Sequence, residues 1–509
     1  MISSAIDNSA QSAANPHEVV IGLEVHVQLD TVSELFCGCP TRFGAQPNTQ
    51  TCPVCVGLPG TLPVMNRKAF ELGLRTAVAL NCRIAPFTKW DRKNYYYPDL
   101  PKGYQISQYD LPFSSDGYLE INDPEGTARR IGIIRAHLEE DAGKSMHDEA
   151  AGKADSRIDL NRTGTPLLEI VSQPDMRSPA EAKSFLTELK LLLMYLGVSD
   201  CNMQEGSLRV DANVNLHVRL EGETAATPIV EIKNMNSFRA VERALSHEAA
   251  RQYQVWQATG HRLGDVPKQT RGWDDAANVT RGQRHKEESS DYRYFPDPDL
   301  APVTVTPDQV RQIEASLGEL PAALRSRLES TYGISAYDSD VLVNQGRALV
   351  DYYVALAERT ADGKLASNWM QQDVLRMLKE QSIGIERFGV TAQRLGDLLV
   401  KVRAGEVDTS RGREVLAEML TSGRPADEIM RERGMGQVDE EALIALCQEL
   451  IRANPKLVAD IKAGKLQAAG AFVGQAKKKN PNINPARVRE ICLALAEKVA
   501  SGGRQPTDT

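Results

Sequence analysis

The 509-residue sequence has no uninterrupted run of 18 or more apolar residues, which excludes an ordinary membrane-spanning helix. It also lacks a dominant charge: 60 Lys and Arg stand against 68 Asp and Glu, for a formal net charge of −8. That balance removes any global electrostatic argument for nucleic-acid binding but leaves room for a local basic patch. The first sixteen residues, MISSAIDNSAQSAANP, have neither a basic start nor an apolar stretch. They read as a disordered tail, not a signal peptide, and the cytoplasm is the expected compartment. Cysteine is scarce, with 8 residues, and Cys82, Cys201, Cys447 and Cys492 are scattered as buried small apolar residues usually are. No internal repeat points to a solenoid.

What remains, 41% hydrophobic and 25% charged, is the composition of an ordinary globular protein, long enough for about two to four domains. Strand-like runs recur at 19–29, 131–139, 167–172, 207–219 and 229–233. Between them SPAEAKSFLTELKLLLMYLGV predicts a helix, with Ser178 as N-cap, Pro179 at the first position and Gly197 closing it. A second helix is predicted after Ser237. Strands with a few long helices and no regular βαβ alternation imply an α+β domain. After FPDPDLAPVTVTPDQ the pattern turns helical, from about 307 to 400, and a further small helical unit occupies the last hundred or so residues.

The other four cysteines, Cys37, Cys39, Cys52 and Cys55, form C-x-C followed by C-x-x-C. Two short knuckles closed by Gly and Pro turns suit tetrahedral Zn²⁺ in a structural site with no open position. The competing reading is coincidental clustering, or a redox pair at Cys52 and Cys55. AGKS at 142–145 imitates the end of a phosphate-binding loop, but Leu138 stands where that loop needs Gly and no apolar helical run follows. A Walker-type NTPase is therefore rejected, although Lys144 remains available to phosphate.

Several strands share one property. In GLEVHVQL, residues 22–29, Leu23, Val25, Val27 and Leu29 alternate with Glu24, His26 and Gln28. In IGIIRAHLEED, Arg135, His137 and Glu139 oppose Ile134, Ala136 and Leu138. SLRVDANVNLHVR alternates along its whole length, with Arg209, Asp211 and Asn213 on the polar side. Glu231 and Lys233 share a face in IVEIKN, and Glu169 sits in LLEIV. A merely wetted face is rich in Lys, Glu, Thr and Ser; these carry cation-ligating and phosphate-clamping types. Side by side they would make a floor of carboxylates flanked by basic groups, the equipment for Mg²⁺ and nucleotide without a P-loop. A solvated sheet is the alternative. DRKNYYYPDLPKGYQISQYD, residues 91–110, and SSDYRYFPDPD, 289–299, are dense in Tyr, suited to loop packing or to stacking on bases.

GLEVHVQL, DRKNYYYPDLPKGYQISQYD, RAHLEEDAGKS, DLNRTGTPLLEIVSQPD, EGSLRVDANVN, EIKNMNS and DYRYFPDPD together resemble the B subunits of the bacterial aspartyl/glutamyl-tRNA amidotransferases. The resemblance runs from about residue 18 to near the C-terminus. It implies a glutamine-synthetase-like catalytic cradle, α+β with a largely antiparallel sheet, over 17–300, after the 1–16 tail. Two all-α domains then follow, a helical linker domain over 301–405 and a helical, tRNA-binding tail over 406–509. The implied activity is ATP-dependent amidation of Glu or Asp misattached to tRNA. Ammonia would come from the family's amidase (glutaminase) or A subunit, joined by its small C subunit. The resemblance maps Glu24, His26, Glu139 and Glu169 onto the divalent-metal ligands. Because His is atypical for Mg²⁺, His26 either binds through water, favours Mn²⁺ or assists proton transfer. Glu140, Arg209, Asp211 and Lys233 are added on face and charge, and Lys144, Arg209, Asp211 and Lys233 are the expected nucleotide contacts. In GAFVGQAKKKNPNINPARVR, Lys477, Lys478, Lys479, Arg487 and Arg489 are the expected tRNA-phosphate contacts. Only some members of the family carry the Cys cluster. Two other readings compete: a zinc-stabilised RNA-binding scaffold without catalysis, and a carboxylate-metal phosphoesterase.

Overall fold

Alternating apolar residues decide the architecture of the first half of the chain. The computed structural model describes residues 16–123, 125–147, 156–283, 291–435, 440–463, 465–479, 483 and 485–501. The expected N-terminal tail thus lies almost wholly outside the described residues. Two compact units divide the chain at Pro321/Ala322.

The first unit is built on a ten-stranded sheet. Its strands are β1 (His17–Gln28), β2 (Arg83–Ile84), β3 (Ser114–Asn122), β4 (Ala128–Glu140) and β5 (Pro166–Ser172). They continue with β6 (Leu208–Leu220), β7 (Glu223–Ala226), β8 (Val230–Lys233), β9 (Gln269–Asp274) and β10 (Val279–Gly282). The spatial order is β10-β9-β8-β6-β1-β5-β4-β3-β2, with β7 beside β6. Every pairing is antiparallel except β8 with β9.

One face of the sheet is dry. Leu23, Val25 and Val27 from β1 and Leu208, Val210 and Val214 from β6 join Phe185, Leu186 and Leu189 of helix α2 (Pro179–Tyr195) in one core. The core also takes in Phe70 and Leu74 of helix α1 (Arg67–Ala79) and Val241 and Leu245 of helix α3 (Phe238–Thr259). Each large side chain removed from water in this way contributes about 1.5–3 kcal/mol. The helix termini follow the local code: Ser178 and Ser237 accept from backbone N–H groups, Pro179 starts α2, and Gly260 ends α3 at φ 64°.

The alternation in IGIIRAHLEED breaks at one residue. Ile134 is 38% exposed, whereas Ile133, Ala136 and Leu138 are buried. The register between β4 and β5 slips by one there, because Ile134 is an extra residue on β4. A bulge reverses the side on which every preceding residue falls, so Ile134 points away from the core that strict alternation assigned to it. A separate three-stranded sheet, Phe295–Pro296, Asp91–Asn94 and Tyr104–Ser107, carries the Tyr-rich segments.

The second unit is helical throughout its described elements, from Pro321–Tyr332 to Pro485–Ser501. Its C-terminal part has its own core, with Cys447, Phe472, Val488 and Cys492 buried together. The scattered cysteines Cys82, Cys201, Cys447 and Cys492 are all buried, as small apolar residues are. Among the described residues no helix is long and apolar enough to cross a membrane.

Candidate functional site

Register brings the polar faces together. β1 pairs with β5 so that His26 lies opposite Glu169, and β5 pairs with β4 so that Glu169 lies opposite His137. On its other edge β1 sets His26 opposite Arg209 and Glu24 opposite Asp211 of β6. Paired residues share a face, so Arg209, His26, Glu169 and His137 form one row across four strands. Glu24 and Glu139 flank it, each two residues along its strand.

The side chains converge. His26 Nε2 lies 3.5 Å from Glu24 Oε1, 3.6 Å from Glu139 Oε1 and 3.4 Å from Glu169 Oε2. His137 Nε2 lies 3.7 Å from Glu169 Oε2 and 4.0 Å from Glu139 Oε2. Arg135 Nη2 is 3.6 Å from Glu169 Oε1, and Ser107 donates a 3.4 Å hydrogen bond to Glu139. Lys93, between the rings of Tyr95 and Tyr292, adds positive charge toward Glu139 and Glu169.

Electrostatics separates these groups. Burial opposes the charge on His26, but the Glu169 hydrogen bond and the surrounding carboxylates hold its pKa up to about 9. Burial lowers His137 to about 4, leaving a neutral imidazole at neutral pH. Burial, reinforced by Glu169, raises Glu139 to about 7 and also raises Glu24. Glu169 goes the other way: burial opposes its charge, but His137, His26 and Arg135 hold its carboxyl well below the usual range. Like charges crowded into a low-dielectric floor resist joint ionisation, and a divalent cation relieves that repulsion. The ligand atoms of Glu24, His26 and Glu169 all lie within 4.8 Å of one another, a set that fits such an ion.

The remaining expected residues fall in different places. Arg209 borders the floor, donating a 2.7 Å bond to the buried Asp141, which also accepts from Gln28 at 3.0 Å. Lys233 bonds Asp211 at 2.5 Å and lies 3.3 Å from Glu231, forming a charged rim beside Glu24. Lys144 heads a hairpin, Lys144–His147 with Ser156–Asp159, and lines a cleft of about 800 Å³ with Arg209, Arg162 and Arg42. Glu140 is apart from the cluster: its carboxylate is buried against Lys102 and accepts from the Ile106 N–H at 2.8 Å. Sequence reasoning placed His137 on the correct face but left it out of the site, and it passed over Lys93. A basic residue inside DRKNYYYPD was the available signal for Lys93.

The sulfurs of Cys37, Cys39, Cys52 and Cys55 also lie within 4.8 Å of one another, with Cys52 and Cys55 at 3.9 Å. Four sulfurs about 2.3 Å from a tetrahedral Zn²⁺ stand roughly 3.8 Å apart, so the donor set fits that ion. All four are free thiols. In the C-terminal unit the basic cluster is partly neutralised. Lys477 lies 3.7 Å from Asp408, Lys479 2.5 Å from Glu449, and Arg487 pairs with Glu440 and Glu490. Lys478 and Arg489 are exposed and make no ion pair among the described residues.

A carboxylate–imidazole floor rimmed by Arg and Lys has ligand types that suit a divalent cation and fixed charge that suits an anion. Residues 19–311 match the GatB/GatE catalytic domain, and residues 351–495 match the GatB domain. The chain is 58% identical over 485 residues to the B subunit of the aspartyl/glutamyl-tRNA(Asn/Gln) amidotransferase of Rhodopirellula baltica, covering 95% of this chain and 98% of the relative. It is 48% identical over 477 residues to the protein of the same name from Moorella thermoacetica, covering 93% and 98%. The chain belongs to the family of tRNA-dependent amidotransferase B subunits.

Proposed function

We propose that this chain converts Glu-tRNA(Gln), Asp-tRNA(Asn) or both into the corresponding amide as the ligase component of a glutamine-hydrolysing amidotransferase. A carboxylate is a poor electrophile, so ATP first phosphorylates it. One side-chain carboxylate oxygen of the tRNA-linked residue bonds to the γ-phosphorus as the β–γ bridge breaks and ADP leaves. Ammonia then adds to the acyl carbon, inorganic phosphate departs and a proton is lost, giving the amide. Phosphoryl transfer is chiefly positioning and charge neutralisation. Arg209, Lys233 and Lys144 supply fixed positive charge at the rim, and Lys93 supplies it beside Glu139. Glu24, His26, Glu139 and Glu169 hold Mg²⁺, which when bound neutralises phosphate charge. The ammonia comes from a partner amidase, the A subunit, joined by the small C subunit, and Cys37, Cys39, Cys52 and Cys55 hold a structural zinc. Lys477, Lys478, Lys479, Arg487 and Arg489 face tRNA phosphates.

The observation that carries this reading is the convergence of three carboxylates on His26 within 3.6 Å. A zinc-stabilised RNA scaffold has no use for it. The test is ATP turnover by the assembled complex with Glu-tRNA(Gln) or Asp-tRNA(Asn), with and without ammonia. Turnover is expected to rise with misacylated tRNA and to yield amide when ammonia is supplied. Turnover indifferent to the tRNA would overturn the proposal.

A further inference from the structure

The loop between the two cysteine knuckles is stapled to a segment more than a hundred residues away. Asn48 donates to Asp159 Oδ1 at 3.1 Å and to the Ile158 carbonyl at 3.0 Å, and its own oxygen accepts from the Leu160 N–H at 2.9 Å. Asn161 accepts from the Gln50 N–H at 2.8 Å and donates to the Gln46 carbonyl at 2.6 Å. Gln50 in turn donates to the Arg42 carbonyl at 3.0 Å. These bonds fix the backbone on which Arg42 and Phe43 stand.

The two side chains are nevertheless left open. Phe43 is 69% exposed, and Arg42 makes no ion pair among the described residues. Both line the cleft of about 800 Å³ that Lys144 and Arg209 also line, and both line an adjoining cleft of about 630 Å³. Gln28 belongs to both clefts. It stands two residues along β1 from His26 and on the same face, a rise of about 6.6 Å, so the clefts open beside the floor.

A flat ring and separate cations in an open cleft are the equipment for single-stranded nucleic acid: bases stack on the ring, and the cations follow the phosphates. The two clefts together exceed the volume of about 300–1,000 Å³ typical of a small-ligand site. They suit a strand of several nucleotides better than one nucleotide. Charge agrees. A triphosphate concentrates its negative charge, and Asp159, Asp200 and Glu205 line these same walls. A single strand spreads one charge per phosphate, which separate cations such as Arg42 and Lys144 match.

We infer that the knuckle loop seats the single-stranded acceptor terminus of the tRNA: Phe43 stacks on the terminal base and Arg42 holds a phosphate, so that the ester-linked residue reaches the floor past Gln28. The inference rests on the tRNA-amidation reading and gives the loop framed by the cysteines a role in binding that substrate.

The test is photo-crosslinking of the assembled wild-type complex with two probes, the misacylated tRNA ending in azidoadenosine and azido-ATP, with the labelled residues mapped by mass spectrometry. The tRNA probe is expected to label residues 41–45 and the ATP probe to spare them. A tRNA label found only elsewhere would overturn the inference, as would labelling of this loop by azido-ATP. Kinetics give a second readout. Phe43→Ala is expected to raise KM for misacylated tRNA about tenfold and leave KM for ATP unchanged, with Phe43→Trp restoring it. Arg42→Gln should flatten the salt dependence of tRNA binding by about one in log–log slope. An unchanged KM for tRNA in Phe43→Ala would refute the stacking role, and the wild-type label decides the matter even if the variants misfold. Wild-type turnover that rises normally with misacylated tRNA while the label falls elsewhere removes this inference alone. Turnover indifferent to the tRNA removes the proposed function itself.

Discussion

Glu139 and Glu140 are neighbours in sequence, both buried, and opposite in role. Glu139 faces His26, His137 and Ser107 on the floor; Glu140 turns to Lys102 and the Ile106 N–H. Neutralising each therefore has a different expected outcome. Glu139→Gln removes a charge from a floor that suffers from crowded negative charge, so folding survives while ATP-dependent amidation falls by at least about 100-fold. Glu140→Gln leaves the Lys102 ammonium buried without its counter-charge, at a cost of about 3–5 kcal/mol. Melting curves and amidation rates measured on both variants separate the two. A large fall in melting temperature for Glu139→Gln, or none for Glu140→Gln, would contradict this division. The pair also marks a limit of sequence reading. Face and charge add Glu140 to the floor on sequence alone; the structure removes it, because consecutive strand residues point to opposite sides and Lys102, far along the chain, waits on the other one.

At the scale of the element, β6 is the plainest case of a strand whose pattern dictates its place. Leu216 is fully buried, and its neighbour His217 lies on the other face and is half-buried. Leu216→Ala is expected to destabilise the first unit by about 2–5 kcal/mol, whereas His217→Ala should stay within about 0.5 kcal/mol. Chemical denaturation followed by the fluorescence of Trp273 and Trp90, both buried in this unit, measures the difference. The cysteine knuckles are a second element-scale device. One zinc per chain is expected from elemental analysis, and Cys52→Ser should lower zinc content and melting temperature together. A zinc-free wild-type protein of unchanged stability would rule out a structural metal there. Strand β4 shows where pattern alone misled: the bulge at Ile134 adds one residue, and no period-2 count can foresee an insertion set by pairing with β5.

For the molecule as a whole, charge is local. The C-terminal unit pairs Lys477, Lys479 and Arg487 with acidic neighbours, leaving Lys478 and Arg489 as exposed cations. If this surface meets tRNA phosphates, Lys478→Glu with Arg489→Glu should flatten the salt dependence of tRNA binding by about two in log–log slope. Lys479→Ala should change it less, since Glu449 already screens that charge. Filter binding across a salt series reads both, and equal effects from the two changes would refute the assignment.

The sequence by itself determined which residues of β1 and β6 alternate toward the core, where α2 and α3 begin, and that four cysteines fall in two knuckles. These depend on pleat, capping and spacing, all local properties of the chain. Only the tertiary structure decided which strands are neighbours. β5 enters between β1 and β4, so Glu169 meets His26 and His137 from strands far away in the sequence. Such pairings follow from the core shared by α2, α3 and the sheet, a long-range packing solution that no window of sequence contains. The resemblance made His26 a candidate, whereas His137, equally polar and equally in phase, became one only when Glu139 and Glu169 were found in front of it.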